Sequence, residues 1–140
     1  MLDKTLDAKL MAPRKGYQSL KGKYVLLHPE KYTGNPKRIV FRSMWERKFM
    51  LYCDKTPEVL EWSSEEIAIP YNYKDKDRNY YPDFFIKFKT DKDTVEESVI
   101  EIKPHYQRTY GQNIAKWQSA REYCKERNYT FKILTEKELF

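Results

Sequence analysis

Asp83, Glu101 and Lys103 are the residues whose types and spacing best suit chemistry in this 140-residue chain. Asp83 follows Pro82 in YYPDFFIKF (80–88), while Glu101 and Lys103 stand two apart in SVIEIK (98–103). Both segments are rich in aromatic and β-branched residues, and they flank a polar turn around TDKD (90–93), as two strands of a hairpin do. A turn centred on Lys92 sets Asp83 directly opposite Glu101, with Cβ atoms about 4.5–5.5 Å apart. Lys103, two residues further on, shares the face of Glu101. A slip of one residue would send the two carboxylates to opposite faces.

Two facing carboxylates repel by roughly 3 kcal/mol at a separation of about 5 Å and an effective dielectric near 20. Strands built from Phe, Ile and Tyr do not need such a pair to fold. A divalent cation reverses the sign of the interaction, and oxygen-only donors favour Mg²⁺, with Mn²⁺ as a substitute. Such an ion polarises a phosphate and activates a water. A neighbouring lysine orients that water and balances charge in the transition state; it is a poor base near neutrality. The competing reading is two solvated charges on an edge hairpin, the usual fate of so short a pattern. The predicted strands, the alignment and the surrounding aromatics favour a site.

Glu46 is the third acidic candidate. Residues 43–53 read as a helix with Ser43 as N-cap, Glu46 completing a capping box, and Trp45, Phe49, Tyr52 and Cys53 on one apolar face. Capping alone explains this glutamate. A helix packed on the sheet could also aim it at the hairpin, and the two roles compete for one carboxylate.

The elements that must position these groups follow from periodicity. VLEW (59–62) and EIAIPYNY (66–73), with Ile67, Ile69 and Tyr71 on one side, read as strands, followed by a charged turn at 74–79. Residues 111–127 read as an amphipathic helix with Ile114, Trp117, Ala120 and Cys124 as its buried stripe, and 130–134 as a last strand. Thr135 and Glu138 open a short terminal helix. The order predicts an α/β fold with a mixed central β-sheet flanked by helices.

Nine basic side chains against three acidic ones lie in residues 1–40, which accounts for the whole net charge of +6. Gly and Pro punctuate residues 1–38, read as a basic irregular N-terminal arm packed on a domain of residues 39–140. Within it, Tyr24-Val25-Leu26-Leu27 is a short strand or an anchoring contact. A basic segment beside a neutral globule suits a polyanionic partner. Cys53 and Cys124 stand apart with no metal-binding spacing, which suits a reduced protein. With no signal-like apolar region and no run of transmembrane length, a soluble protein with no membrane partner is expected.

Four ordered segments, RSMWERKF (42–49), EWSSEEIAIPY (61–71), YYPDFFI (80–86) and VIEIKP (99–104), resemble PD-(D/E)xK nucleases of the TnsA-like branch. Together with HPEKYTG (28–34) they are similar to head completion nucleases of T-even-type tailed phages, over roughly residues 24–135. The resemblance implies a restriction-endonuclease-like core, Mg²⁺-dependent cleavage of DNA, and a role in finishing the DNA-filled head before tail attachment. Head, portal or head-tail joining proteins are the implied partners, in the host cytoplasm during assembly or in the virion. It implies that Glu46, Asp83 and Glu101 hold the metal with the backbone carbonyl of Ile102, and that Lys103 is the motif lysine. Lys15, Lys21, Lys23, Lys37 and Arg38 of the arm are candidate phosphate contacts, as are Gln112 and Lys116 on the following helix. Tyr106, Gln107 and Arg108 stand where they could approach DNA. Two alternatives remain open: a joining protein of the same fold that binds DNA or a portal without cutting, and an endonuclease of a transposition or restriction system. Oligomeric state is not legible.

Overall fold

The computed structural model describes residues 21–107 and 110–139. In chain order these form β1 (Gly22–Lys23), β2 (Val40–Phe41), α1 (Met44–Lys55), β3 (Val59–Ser64), β4 (Ile69–Tyr73), β5 (Lys76–Tyr80), β6 (Phe84–Lys89), β7 (Val95–Ile102), α2 (Gly111–Arg127), β8 (Thr130–Leu134) and α3 (Glu136–Leu139). Short 3-10 turns lie at Pro29–Lys31 and His105–Gln107.

Four strands make the central sheet in the order β3-β6-β7-β8. β6 and β7 pair antiparallel from Phe84↔Ile100 to Lys89↔Val95, the register that a turn centred on Lys92 requires. β3 adds antiparallel to β6, and β8 adds parallel to β7, with α2 as the crossover between them. The sheet is therefore mixed, as expected.

Alternation along the strands divides the apolar residues between two cores. Phe84, Ile86 and Phe88 of β6 and Ile100 and Ile102 of β7 pack with Trp45, Phe49, Met50 and Cys53 of α1. On the other side, Ile69, Tyr71 and Tyr80 of the β4–β5 hairpin pack with Trp117 and Ala120 of α2, against Phe131 and Ile133 of β8. Odd-numbered residues of β7 leave on this second face, so Glu101 points away from α1.

Several expected boundaries move. The stretch 80–88 is not one strand: Tyr80 ends β5, and β6 starts only at Phe84. Pro82 between them has no N–H for a ladder and a restricted φ. The charged segment 74–79 is not all turn. Lys74 and Asp75 alone make it, at φ of 52° and 59°, the left-handed pair of a tight hairpin; Lys76–Tyr80 is a polar strand whose pairing with β4 the composition hides. The buried stripe of α2 is Asn113, Trp117, Ala120 and Cys124, whereas Ile114 is 53% exposed. Both cysteines are buried, and neither is in a disulfide.

The described part of the arm is tied down at defined points. β1 pairs with β2 antiparallel. Buried Asp54 near the end of α1 accepts hydrogen bonds from the Tyr24 hydroxyl (2.8 Å) and the Leu27 (2.7 Å) and His28 (2.9 Å) amides. Lys31 Nζ donates to the carbonyls of Cys53, Asp54 and Thr56, closing the C-terminal end of that helix. Tyr24 is thus the anchor, while Val25 and Leu27 stay exposed.

Candidate active site

The site forms where β6 and β7 run out of ladder. Asp83 stands one residue before β6, and its Oδ2 accepts the amide of Ile102 at 2.7 Å. Its own carbonyl accepts the amide of Glu65 at 3.1 Å. The residue is held between β7 and the end of β3. Asp83, Glu101 and Lys103 line one cleft together with Arg42, Glu65, Asn79, Tyr80, Tyr81 and Lys116.

Glu101 is 4% exposed, and both of its oxygens are engaged. Tyr80 donates its hydroxyl to Oε1 at 2.8 Å, and Lys103 Nζ lies 3.5 Å from Oε2. Lys116 of α2 sits 5.7 Å above the Tyr80 ring. The lysine of the motif therefore meets the second carboxylate, as the shared strand face predicts.

Glu46 approaches from α1 on the far side of the sheet. Ser43 caps the helix by accepting the Glu46 amide at 3.2 Å. The return bond of the capping box is displaced by one residue: Glu46 Oε1 accepts the amide of Arg42 at 3.1 Å, and Oε2 accepts the Ser43 hydroxyl at 3.4 Å. Glu46 is 7% exposed, yet one of its carboxylate oxygens lies within 4.8 Å of ligand oxygens on both Glu65 and Asp83. Capping and approach to the cluster coexist, because the cap takes the N–H before Ser43.

Glu65 was not among the expected acidic residues. It follows β3 with φ of 54°, a left-handed conformation that costs a non-glycine residue on the order of 1 kcal/mol. Its carboxylate is held by Arg42 through Nε at 2.8 Å and Nη2 at 3.1 Å. Only the SSEE run hints at it in sequence, and nothing there distinguishes Glu65 from Glu66, which instead accepts the amide of Asn35.

The electrostatics are those of crowded acids. Burial, reinforced by the charges of Glu65 and Glu101, lifts the Glu46 carboxyl from 4.5 to about 7. Burial and then the Glu101 and Glu46 charges push Asp83 well above the usual carboxylate range. Burial also raises Glu101, against the opposing pull of Lys103 and the Tyr80 hydrogen bond. Burial and the adjacent Glu101 charge drive the Tyr80 phenol upward, so it remains a donor. Glu46, Glu65 and Asp83 each offer a carboxylate oxygen within 4.8 Å of the other two, a hard oxygen donor set that fits a divalent cation such as Mg²⁺ or Mn²⁺. The expected ligand Glu101 is not in this group, because Tyr80 and Lys103 engage its oxygens. Neither cysteine nor histidine is among the residues lining the cleft.

The candidate phosphate contacts divide. Lys116 lines the cleft. Gln112 turns inward and donates to the Tyr71 hydroxyl at 2.9 Å. Lys21, Lys23, Lys37 and Arg38 are exposed but are not among the residues lining the cleft. Lys15 and Arg108 lie outside the described residues. Arg42, which lines the cleft, was missed because it reads as the residue before an N-cap.

The TnsA-like endonuclease N-terminal family matches residues 56–136. A head completion nuclease of Enterobacteria phage T4 is 34% identical over 139 aligned residues, covering 82% of this chain and 90% of the relative. No helix among the described residues is long and apolar enough to cross a membrane.

Proposed function

The chain belongs to the TnsA-like endonuclease family, and from that premise we propose that it is a Mg²⁺-dependent DNA nuclease acting in phage head completion. The single observation that carries the catalytic reading is the joint placement of Asp83, Glu101 and Lys103 in one cleft. The head-completion role rests on the likeness to the T4 protein. DNA is the substrate in this reading, and virion assembly proteins of the head, portal or head-tail joint are the partners. Residues 39–140 serve as the nuclease domain and residues 1–38 as its basic arm. The host cytoplasm during assembly, or the virion itself, is the corresponding location.

Glu46, Asp83 and Glu101 would hold the metal ion, with the Ile102 carbonyl as a further oxygen and Glu65 within reach of Glu46 and Asp83. The N–H and C=O of a strand residue leave on the same edge, and the Ile102 N–H already points at Asp83. The bound ion supplies Lewis acidity toward the phosphate and makes a coordinated water a better nucleophile. Lys103, kept near the cleft by Glu101, orients the attacking water and offsets the charge that builds on the phosphate oxygens. Tyr80 holds Glu101 through Oε1, so that Oε2 faces Lys103. Lys116 contributes positive charge to the opposite wall, where it neutralises backbone phosphate without reading sequence.

Linear and supercoiled DNA incubated with the protein and Mg²⁺ test the reading. Cleavage is expected, and Asp83→Ala is expected to abolish it. DNA left intact by the wild type across Mg²⁺, Mn²⁺ and Co²⁺ overturns it. So does a variant at Asp83 that cuts as fast as wild type, because the activity would then belong to a contaminant.

A further inference from the structure

We propose that Arg42 is a phosphate-binding residue of the cleft, held in reserve by Glu65 and transferred to the DNA backbone when substrate enters. The inference rests on the nuclease reading and adds to it a residue and an exchange of partners. Among the described residues that line the cleft, Arg42 is the one guanidinium. Its Nε and Nη2 grip the two oxygens of Glu65 as a fork. That planar two-point geometry also fits two oxygens of a phosphate diester.

Three features make Arg42 suited to such an exchange. Its backbone is fixed, since its amide donates to Glu46 Oε1, so the side chain swings from a base tied to the site. Its side chain is 52% exposed, against 27% for Glu65; an ion pair this open is weakly held in water. The two lysines of the cleft are placed differently, Lys103 beside Glu101 and Lys116 over the Tyr80 ring. Arg42 therefore touches the acidic cluster through Glu65 with a donor geometry that neither lining lysine offers.

The partner is equally specific. Glu65 takes a left-handed backbone conformation at φ 54°, and its amide is bonded to the carbonyl of Asp83. An ordinary surface salt bridge does not need this strained position beside the site. Once Arg42 leaves, the Glu65 carboxylate remains within 4.8 Å of Glu46 and Asp83, where a divalent ion offsets its charge. Binding of DNA and of the ion should thus favour one another.

A double-mutant cycle on DNA affinity tests this. Fluorescence anisotropy with a labelled 30-base-pair duplex is read in EDTA, so that Glu65→Gln removes the partner of Arg42 without also removing a carboxylate that an ion would use. Glu65→Gln is expected to tighten binding about tenfold, by freeing one charge-assisted contact. Arg42→Gln is expected to weaken binding about tenfold and to lower the slope of log affinity against log salt by about 1. In the Arg42→Gln background, Glu65→Gln should give no further gain. Arg42→Lys should recover the salt slope but only part of the affinity, since an ammonium lacks the fork.

Equal tightening by Glu65→Gln with and without Arg42 overturns the inference, because it shows only the loss of a repulsive charge. Unchanged affinity in Arg42→Gln and Arg42→Lys, with thermal midpoints showing folded protein, overturns it as well. Failure of the wild type to bind DNA at any salt sinks the nuclease reading itself, and the exchange with it.

Discussion

Asp83 Oδ2 and the amide nitrogen of Ile102 lie 2.7 Å apart, so the carboxylate one residue before β6 is bonded across to the last residue of β7. This bond replaces the next rung of the ladder that ends at Phe84↔Ile100. One oxygen of the same carboxylate lies within 4.8 Å of ligand oxygens on Glu46 and Glu65. Asp83→Asn keeps an oxygen that can accept the same amide, and removes the charge. Expected is a folded protein whose cleavage rate is at least about a hundredfold lower, since even loss of an outer-shell partner costs 10–100-fold. Circular dichroism and a DNA cleavage time course check the two halves. Wild-type cleavage by this variant would remove Asp83 from the reacting centre.

Tyr80 should act on chemistry through Glu101. Tyr80→Phe keeps the ring in the core with Trp117 and Ala120 and deletes only the bond to Oε1. An under-satisfied buried carboxylate is expected to cost about 1–3 kcal/mol in urea denaturation. Mg²⁺ affinity measured by calorimetry should fall about 10–100-fold, as for other groups that orient a ligand. A variant with normal metal affinity but reduced stability would make Tyr80 purely structural.

The acid cluster makes metal-free stability fall as pH rises. Glu46 moves from 4.5 to about 7 on folding, so the folded state binds more protons than the unfolded state between those values. Its stability contribution is complete below about 4.5 and is lost as pH rises through about 7. The limit for this one group is on the order of 3 kcal/mol. Asp83 and Glu101, also raised by burial, carry the same sign. Without divalent ions the urea midpoint should drop across this window, and saturating Mg²⁺ should flatten the trend while releasing protons. Glu46→Gln should reduce the slope, and an unchanged slope would show that this carboxyl titrates normally.

The arm should depend on one buried carboxylate. Asp54 is fully buried and accepts the Tyr24 hydroxyl and the amides of Leu27 and His28. Asp54→Ala strands these donors and should cost on the order of 3 kcal/mol. Limited proteolysis should then cut first between residues 21 and 38. A variant as stable and as protease-resistant as wild type would show that the strap adds little to the fold.

Much of this site is legible in the order of residues, and the reason is periodicity. A hairpin with a short polar turn has few registers, and strand alternation then assigns each side chain a face. Asp83, Glu101 and Lys103 follow from that, as does the mixed sheet from alternating strand and helix patterns. Helix α1 is equally plain, because Ser43 and the apolar spacing from Trp45 to Cys53 are local signals. The local signals fail where polar composition conceals a strand, as at Lys76–Tyr80.

Only the tertiary structure decides that Glu65, rather than Glu66, joins Glu46 and Asp83, because a left-handed residue just past β3 has no mark in composition. The fork between Arg42 and Glu65 spans 23 positions, and the Tyr80–Glu101 bond spans 21. Periodicity constrains neighbours within a strand or helix and says nothing of such partners. Their meeting depends on how β3, β5 and α1 pack around the end of one hairpin, where burial turns separate charges into a single coupled site.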